Sequence, residues 1–504
     1  MVVDTVLLRT VLQILYTISA FGLAVVGLNA LILSLIYLAH RREQPDPPPP
    51  LEDGSWPPVL VQLPIYNERH VVQRLIRAAA LLDYPRDRLM VQLLDDSTDD
   101  TTVIAAAAVD EARAAGLRIE HIRRGERTGF KAGALAAGLA RSDAPLIAIF
   151  DADFVPPPDF LKRLVPYFMA DERLGMIQAR WAHLNEGCSL LTRAQALALD
   201  SHFAIEQTAR HRSGLFMNFS GTAGIWRRTC IEESGGWQHD TLSEDIDLSY
   251  RAQLLGWRFL YLPEVGVPAE IPPLMMGFKR QQARWATGTV QCLRKLGGRV
   301  LRAPIGPWKK LQAMIHLGGY LIHPLMLLTL LLSLPLLLLD GIEALPLAGL
   351  GAAMFGPPLQ TYLAQRSLYR DPWRRLLAFP LLMLLGAGIA VSNSRAVLRG
   401  LSGRPQDFRR TPKFEASQGS SGWAASGYTL PIDGDTWVEL GAAAYAAITA
   451  AIALGAAPAL FPFMMLYALG LAYVALTSIQ QSQVARRVRA KGQPLALSDR
   501  PSGS

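Results

Sequence analysis

The sequence predicts a mostly parallel, doubly wound α/β domain inserted between transmembrane α-helices. Three observations support this prediction. Half of the 504 residues are apolar and 18% are charged, whereas soluble proteins carry about 25% charged residues. Long apolar stretches lie near both ends of the chain. The segment between them alternates short apolar runs with helical patterns, which is typical of an α/β sheet covered by helices.

The N-terminal 40 residues are expected to form a permanent membrane anchor. Apolar residues dominate the segment 12–39, which exceeds the roughly 20 residues that a helix needs to cross a bilayer. A cleaved signal peptide has an apolar stretch of only about 7–15 residues. The segment 41–56 follows with a run of prolines, so we expect a stiff linker there.

Four more spans are expected towards the C-terminus, at 314–339, 345–363, 440–456 and 459–476. Clusters of Lys and Arg flank these stretches, and the positive-inside rule places such clusters in the cytoplasm. Another apolar stretch, 376–391, contains Pro380 and Gly386. If it crossed the membrane once, the basic clusters on its two sides would lie in different compartments. It is therefore predicted to be an interfacial or re-entrant helix.

The predicted organisation has seven parts. These are an N-terminal anchor (1–40), a Pro-rich linker (41–56), a cytosolic domain (57–310), a transmembrane hairpin (311–365), an interfacial helix with a cytosolic loop (366–436), a second hairpin (437–480) and a basic cytosolic tail (481–504). We expect a multi-pass protein of the plasma (inner) membrane, in contact with lipid. The positive residues cluster beside the predicted spans, so no nucleic-acid partner is expected. Three cysteines cannot form a disulfide framework and indicate a reducing compartment.

The central domain shows the alternation of strands and helices that defines its class. Buried strands are predicted at 59–64, 89–94, 118–123 and 146–150, and helices at 69–82, 102–115 and 132–141. In such sheets, ligands bind beyond the carboxyl ends of the strands. Asp95 and Asp96 follow the second strand, and Asp151 and Asp153 follow the fourth. Two acidic pairs at neighbouring strand ends favour a divalent cation, although Asp also favours simple turns.

Further motifs follow these acidic pairs. The stretch Ser243-Glu244-Asp245 lies beyond the predicted sheet, and Gln281-Gln-Ala-Arg284-Trp285 follows it. Phosphate-cradling loops of the Walker type, dinucleotide fingerprints, paired-His zinc helices and nucleophile elbows are all missing from the sequence.

In their order, these motifs resemble those of the processive family-2 glycosyltransferases, and most closely the cellulose-synthase-like A group of glucomannan 4-β-mannosyltransferases. The stretches that carry the resemblance begin at Pro64 (PIYNE), Leu94 (LDDST), Gly129 (GFKAGAL), Phe150 (FDADF), Gly221 (GTAGIW) and Glu244 (EDIDL). The resemblance covers roughly residues 57–300. It implies a glycosyltransferase-A type fold and transfer of hexose from GDP-mannose or UDP-glucose to a polysaccharide acceptor, with inversion.

The resemblance also implies a role for each motif residue. Asp245 would be the catalytic base. Asp151 and Asp153 would hold Mg²⁺ or Mn²⁺. The donor would be bound by Glu68, Asp95, Asp96, Lys131, Asp151, Gln281 and Arg284. The acceptor would be bound by Trp285, Phe219, Ser220, Gly221, Thr222 and Glu244.

Each of these roles has a structural alternative. Lys131 could be a solvated lysine at a helix start, Asp245 a helix-capping acid, and Trp285 a tryptophan of the membrane interface. His202, Glu206 and Gln207 could join the acceptor site or form a polar helix face. Residues 408–413 (FRRTPK) occupy the place of the gating loop of cellulose synthases, or form an ordinary basic loop.

Two other functions remain open. A non-processive lipid glycosyltransferase, similar to ceramide glucosyltransferase, would share the Gln-x-x-Arg-Trp signature. A transporter that only senses nucleotide sugars would bind the donor without chemistry. Few charges lie within the predicted spans, which favours a path for a neutral polymer over an ion pathway. The leading hypothesis is a synthase that extends and translocates a β-linked glycan.

Overall fold

The computed structural model describes residues 2–52, 54–342, 345, 348–403, 413 and 432–490. A seven-stranded sheet forms the centre of the soluble part. Its strands are β1 (Val59–Ile65), β2 (Leu89–Asp95), β3 (Ile119–Arg123), β4 (Leu146–Ile149), β5 (Leu174–His183), β6 (Gly224–Arg227) and β7 (Arg258–Ala269). Their order across the sheet is β3-β2-β1-β4-β6-β5-β7.

The sheet is mixed, with one antiparallel strand among the seven. β6 runs antiparallel to both β4 and β5, and the other neighbouring pairs are parallel. The predicted parallel part, β1 to β4, is confirmed. The reversal of β6 has a consequence for the site, because β6 begins where β4 ends. The backbone N–H of Ala223 donates to Ile149 O at 2.9 Å, so the loop before β6 lies beside Asp151.

Strand residues alternate between two apolar layers, as expected for a sheet covered on both faces. In β4, Leu146 and Ala148 belong to one core cluster, while Ile147 and Ile149 belong to the other. This arrangement explains why the strands are almost continuously apolar in the sequence. Helices on both faces then leave only the strand ends open to ligands.

The chain begins with the long helix α1 (Val2–His40), which precedes the sheet. Eight shorter helices accompany the strands: α2 (Val72–Ala80), α3 (Thr101–Ala114), α4 (Phe130–Leu139), α5 (Phe160–Ala170), α6 (Leu190–Asp200), α7 (Thr208–Arg212), α8 (Arg228–Glu233) and α9 (Glu244–Leu254). A 3₁₀ turn, Glu186–Cys188, precedes α6, and a π-helical segment, Ser201–Gln207, joins α6 to α7.

After β7 the structure is helical. The helices are α10 (Met275–Arg302), α11 (Pro307–Leu317), α12 (Ile322–Leu338), α13 (Gly356–Leu368), α14 (Pro372–Leu376), α15 (Phe379–Gly388), α16 (Ala390–Ser402), α17 (Asp435–Ala456) and α18 (Phe461–Ala490). Short 3₁₀ turns lie at Gly319–Leu321, Ala348–Phe355 and Pro458–Leu460. α10 packs between α9 of the soluble part and α16 and α18 of the apolar part.

Within the described residues, four helices are long and apolar enough to cross a membrane: Thr5–His40, Gly319–Leu338, Asp435–Ala456 and Pro458–Arg486. They agree with four of the five predicted spans. A fifth helical unit, Pro372–Gly388 with Ala390–Ser402, bends by 47° and is either a broken span or a re-entrant segment. The prediction of an interfacial or re-entrant helix there remains a prediction.

The predicted span at 345–363 remains a prediction. Among the described residues of this stretch, a 3₁₀ segment, Ala348–Phe355, is followed directly by α13, and neither helix is among those long and apolar enough to cross a membrane. Pro357 and Pro358 stand in the first turn of α13, where proline is tolerated because the N–H groups of that turn lack partners within the helix.

Candidate active site

The acidic pair after β4 is bound on both sides by lysines. Asp151 Oδ1 accepts from Lys131 Nζ at 2.5 Å, and Asp153 Oδ2 accepts from Lys413 Nζ at 2.6 Å. Lys131 belongs to the first turn of α4 and also donates to Gly221 O at 2.8 Å. Two carboxylates and two ammonium groups thus meet at the carboxyl end of the sheet, where the sequence places a cation or a phosphate.

These charges perturb one another. Burial, together with the neighbouring Asp151, raises the pKa of Asp153 above its ordinary value despite Lys413. Burial would lower the pKa of Lys131, but Asp151, Glu244 and Asp245 together hold it above the ordinary value. The lysine is therefore a permanent cation, and its alternative as a freely solvated side chain does not fit this geometry.

Asp245 lies in the first turn of α9, next to the loop that precedes β6. A Cβ built on Gly221 would be 3.1 Å from Asp245 Oδ2 and 3.5 Å from Lys131 Nζ, and Gly221 has φ +82°. A glycine is required here for its backbone conformation and because a side chain would intrude between these two groups. Burial, reinforced by the Glu244 carboxylate, raises the pKa of Asp245 to about 7.

One face of α10 completes the site. Gln281, Arg284 and Trp285 lie three and four residues apart, which places them on the same side of a helix, and all three line the cavity. α10 lies against the start of α9 at Gly288, where an added Cβ would be 2.2 Å from Ser243 Oγ. This close approach brings the side chains of α10 towards Asp245.

A single cavity collects most of the predicted site residues. Those that line it are Lys131, Asp151, Asp153, Ser220, Gly221, Glu244, Asp245, Gln281, Arg284 and Trp285. They come from five separate segments of the sequence, which only the fold brings together. The fold thus places Asp245, the acidic pair and one face of α10 around the same cavity, and the roles assigned to these residues remain predictions.

A second cavity of about 470 Å³ adjoins the first and shares Trp181, Ser220, Ser243, Asp245, Gln281 and Trp285 with it. It extends between α1, α10 and α12. His202 and Glu206 line it, 3.0 Å apart. Gln207 is fully buried and donates to Asn218 O instead. The π-helical segment therefore faces this second cavity with two of its three predicted polar residues.

Three predicted donor residues lie away from the cavity lining. Asp95 is buried, and burial would raise its pKa, but hydrogen bonds from His121 and Ser97 hold that pKa below its ordinary value. These hydrogen bonds hold the Asp95 side chain at the end of β2, where it stabilises the local structure. Arg124 donates hydrogen bonds to both carboxylate oxygens of Asp96. Glu68 is buried near Lys413, whose pKa it helps to raise.

Phe219 and Thr222 do not fit their predicted contact with the acceptor. Both side chains are fully buried. Phe219 packs edge-on against Trp226 at 5.6 Å, and the Thr222 hydroxyl accepts from the backbone N–H of Asp151 at 2.9 Å. They shape the loop that presents Ser220 and Gly221. The motif was identified as a unit, and the sequence does not show which of its side chains point inwards.

Several cavity residues were not predicted. Trp181 and His183 end β5, and Glu270 follows β7. Trp181 stacks on Phe203 at 5.0 Å and lies 6.5 Å from Trp285. The sequence-based prediction placed no strand at β5 or β7, so it did not identify the side chains at the ends of these strands. Lys413, the last residue of the proposed gating segment, also lines the cavity; residues 408–412 lie outside the described residues.

The acidic pair has suitable donors for a hard divalent cation. Asp151 and Asp153 offer carboxylate oxygens in one cavity, and ammonium groups now balance their charge. Among the residues that the structure describes, no group of three or more His, Cys, Asp or Glu side chains could hold a metal. This donor set suits Mg²⁺ or Mn²⁺, which proteins commonly hold through one or two carboxylates together with substrate phosphates.

Comparison with known families relates this architecture to glycosyl transfer. The sequence profile described as "Glycosyltransferase like family 2" matches residues 57–288. The chain is 36% identical over 371 residues to glucomannan 4-beta-mannosyltransferase 7 of Arabidopsis thaliana, a match that covers 72% of this chain and 66% of the relative. It is 37% identical over 324 residues to glucomannan 4-beta-mannosyltransferase 1 of Oryza sativa subsp. japonica, covering 62% of each. The chain thus spans slightly less than two thirds of the length of these relatives.

The fold also matches a solved structure. The mannosyltransferase PcManGT from Pyrobaculum calidifontis, in complex with GDP-Man and Mn²⁺, superposes with a TM-score of 0.53 at 21% identity. The match covers 77% of this chain and 99% of that chain. The predicted glycosyltransferase-A type fold is thereby confirmed.

Proposed function

This chain belongs to glycosyltransferase family 2, in the group of the glucomannan 4-β-mannosyltransferases, and we propose that it transfers mannose from GDP-mannose to a growing β-linked glycan. The observation that supports this most strongly is the cavity in which Asp245, with a pKa of about 7, faces an acidic pair and two cations. A base poised near neutral pH beside a phosphate-binding site suits glycosyl transfer.

The donor diphosphate would occupy the region of Lys131, Arg284 and the acidic pair. As the glycosidic bond breaks, negative charge accumulates on the departing nucleoside diphosphate, so cations at this position stabilise the transition state. Asp151 and Asp153 would hold Mg²⁺ or Mn²⁺, which supplies charge neutralisation for the diphosphate. Lys131 and Arg284 would add fixed positive charge from the protein itself.

Asp245 would accept the proton of the attacking hydroxyl. The acceptor oxygen forms a bond to the anomeric carbon from the face opposite the diphosphate, which leaves with the electron pair of the broken bond. The hydroxyl proton passes to Asp245, and the configuration at the anomeric carbon inverts. Burial, reinforced by the Glu244 carboxylate, keeps the pKa of Asp245 high, and so makes it a stronger base than an ordinary carboxylate.

The second cavity would hold the acceptor chain. Six of its lining residues carry a buried polar atom without a hydrogen-bond partner in the described structure: Asn29 Oδ1, Trp181 Nε1, Arg210 Nη1, Asn218 Oδ1, Ser220 Oγ and His323 Nδ1. Unpaired buried polar atoms are costly unless a ligand satisfies them. The hydroxyl groups of a glycan can donate to the acceptors among these atoms and accept from the donors. This supports an extended glycan acceptor, processive elongation and passage of the product towards the membrane helices.

The choice of donor and compartment is part of the same proposal. Mannose is favoured over glucose by the relatives, while UDP-glucose is the competing donor. The basic clusters beside the spans favour a plasma-membrane enzyme with its catalytic domain in the cytosol, where nucleotide sugars would reach it from the same side. Membrane lipid would then surround the apolar helices.

The proposed function is tested by analysing what the purified protein makes. The detergent-solubilised chain is incubated with Mn²⁺ and labelled GDP-mannose or UDP-glucose, and sugar and linkage analysis follows. We expect a β-linked mannan that remains in the aqueous phase. Label confined to a single-sugar lipid in the organic phase would refute a polysaccharide product, and donor binding without any transfer would refute the enzyme.

The reaction rate should depend on pH through Asp245. Below its pKa of about 7 the carboxyl is protonated and cannot accept a proton, so kcat/KM should fall about tenfold per pH unit on the acid side. Above that pKa the rate should level off. Glu244→Gln removes the neighbouring negative charge and should move the midpoint to lower pH. A profile that is flat between pH 5.5 and about 8 would exclude Asp245 as the base.

Trp285 is expected to bind the acceptor ring. Trp285→Ala should raise the acceptor KM about tenfold, which corresponds to about 1.4 kcal/mol, because a planar aromatic face is lost from the boundary of the two cavities. Trp285→Phe should retain most of the affinity, and the donor KM should stay nearly constant in both. Trp373, which is 67% exposed on α14, provides the matched control as Trp373→Ala.

A further inference from the structure

A buried ionic cluster joins α10 to the membrane-spanning helices. Lys279 of α10 lies 2.9 Å from the Glu439 carboxylate of α17 and 3.2 Å from Asp433 Oδ1, just before that helix. The side chains of Lys279 and Glu439 are 2% and 0% exposed. Asp433 also accepts from the backbone N–H and the hydroxyl of Thr436, so its position is fixed by the start of α17.

Lys279 lies on the opposite side of α10 from the active site. At about 100° per residue, the positions of Gln281, Arg284 and Trp285 lie about 140° to 240° round the helix from Lys279. Gly288, which lies against Ser243, falls on that same far side. The cluster therefore holds the back of the helix whose front forms the wall of the cavity.

Two hydrogen bonds also hold α10, one on each side of Lys279 along the helix, and apolar packing surrounds its first turn. The backbone N–H of Met275 donates to Gln481 Oε1 of α18 at 2.8 Å, and Thr287 Oγ1 donates to Ala396 O of α16 at 3.0 Å. Met275 and Phe278 also pack in an apolar cluster with α15 and α18. Apolar packing is not directional, so it tolerates small rotations that a buried ion pair with defined geometry does not.

We propose that the Lys279–Glu439–Asp433 cluster is a positioning clamp that sets the rotation of α10, and with it the placement of Gln281, Arg284 and Trp285 opposite Asp245. Buried ion pairs contribute little net stability compared with apolar residues of similar size, and their best-attested use is to select one arrangement. None of the three clamp residues lines either of the two cavities. The inference rests on the proposed function, because its kinetic effect is an effect on glycosyl transfer.

The test removes the clamp without leaving a buried charge behind. In the double variant Lys279→Met/Glu439→Gln the binding of GDP with Mn²⁺ should change less than about twofold. The kcat should fall about tenfold or more, since misplacement by about 1 Å costs up to a hundredfold. Amide hydrogen exchange of residues 275–290 should become faster. The matched control is Lys162→Met/Asp83→Asn, which removes an exposed ion pair of 2.7 Å and should leave all three quantities unchanged.

A purely structural role predicts a different result. If the cluster only stabilises the fold, the double variant should regain the kcat of the wild type once it folds, and exchange in α10 should be unchanged; either result overturns the proposal. If the double variant does not assemble, Glu439→Gln carries the same test, since it keeps the contact of Lys279 with Asp433. Absence of transfer in the wild-type protein would refute the proposed function, and the exchange measurement would still decide the clamp.

Discussion

Asp245→Asn is expected to lower kcat by about a thousandfold or more while leaving the affinity for GDP within about threefold of the wild type. Asparagine has nearly the shape of aspartate but cannot take the proton of the acceptor hydroxyl. The donor contacts assigned to Lys131, Asp151 and Asp153 remain in place. The measurement is single-turnover transfer of labelled mannose together with calorimetric titration of GDP and Mn²⁺.

The design of that experiment separates chemistry from folding. Asp245 is buried with a raised pKa, so an uncharged replacement relieves a desolvation cost and should not unfold the protein. Asp110→Asn, at an exposed position on α3 paired with Arg113, is the matched control and should transfer at the wild-type rate. Transfer by Asp245→Asn at more than about a tenth of the wild-type rate would require a different base.

The double variant Asp151→Asn/Asp153→Asn should abolish the Mn²⁺ dependence of donor binding. Two amides keep the shape of the site but lack the charge that holds a hard cation. We expect kcat/KM to fall about a thousandfold or more, with nucleotide affinity no longer raised by added Mn²⁺. The assay is titration of GDP with and without Mn²⁺, and EDTA should have the same effect on the wild-type protein.

Lys131 and Lys413 lose their nearest charged partners in that variant, so its stability must be followed as well. The thermal midpoint should fall by only a few degrees, because the amide oxygens still accept hydrogen bonds from both lysines. Asp83→Asn, which weakens an exposed pair with Lys162, serves as the control. Unchanged Mn²⁺ stimulation in the double variant would contradict the assignment of the cation to this pair.

The sequence predicted β1 to β4 and their helices closely because each strand is a short apolar run ended by charged or turn residues. The same reasoning missed β5. Gly175 near its start and Arg180 and His183 in its second half interrupt the apolar run, so the strand lacks the continuous apolar pattern of β1 to β4. The direction of β6 could not be predicted from the sequence either, because its pairing with β4 and β5 depends on residues that lie far apart in the chain.

Neighbouring residues of one motif have different roles, which the sequence alone does not show. Asp95 points into the domain and is bonded to His121, while Asp96 is held by Arg124. Phe219 is core, while Gly221 leaves the space beside Asp245. The motif pattern thus located the site, but the backbone had to be known before each side chain could be placed inside or outside the cavity.

The position of α10 between the soluble sheet and the apolar helices limits how the enzyme can be dissected. A fragment that ends before Met275 lacks α10 and with it one wall of the cavity. A fragment that ends after Arg302 keeps α10 but lacks α16, α17 and α18, against which α10 packs. The cavity wall therefore depends on contacts from both parts of the chain. A truncation to the sheet and its helices would lack these contacts, so assays should use the full chain.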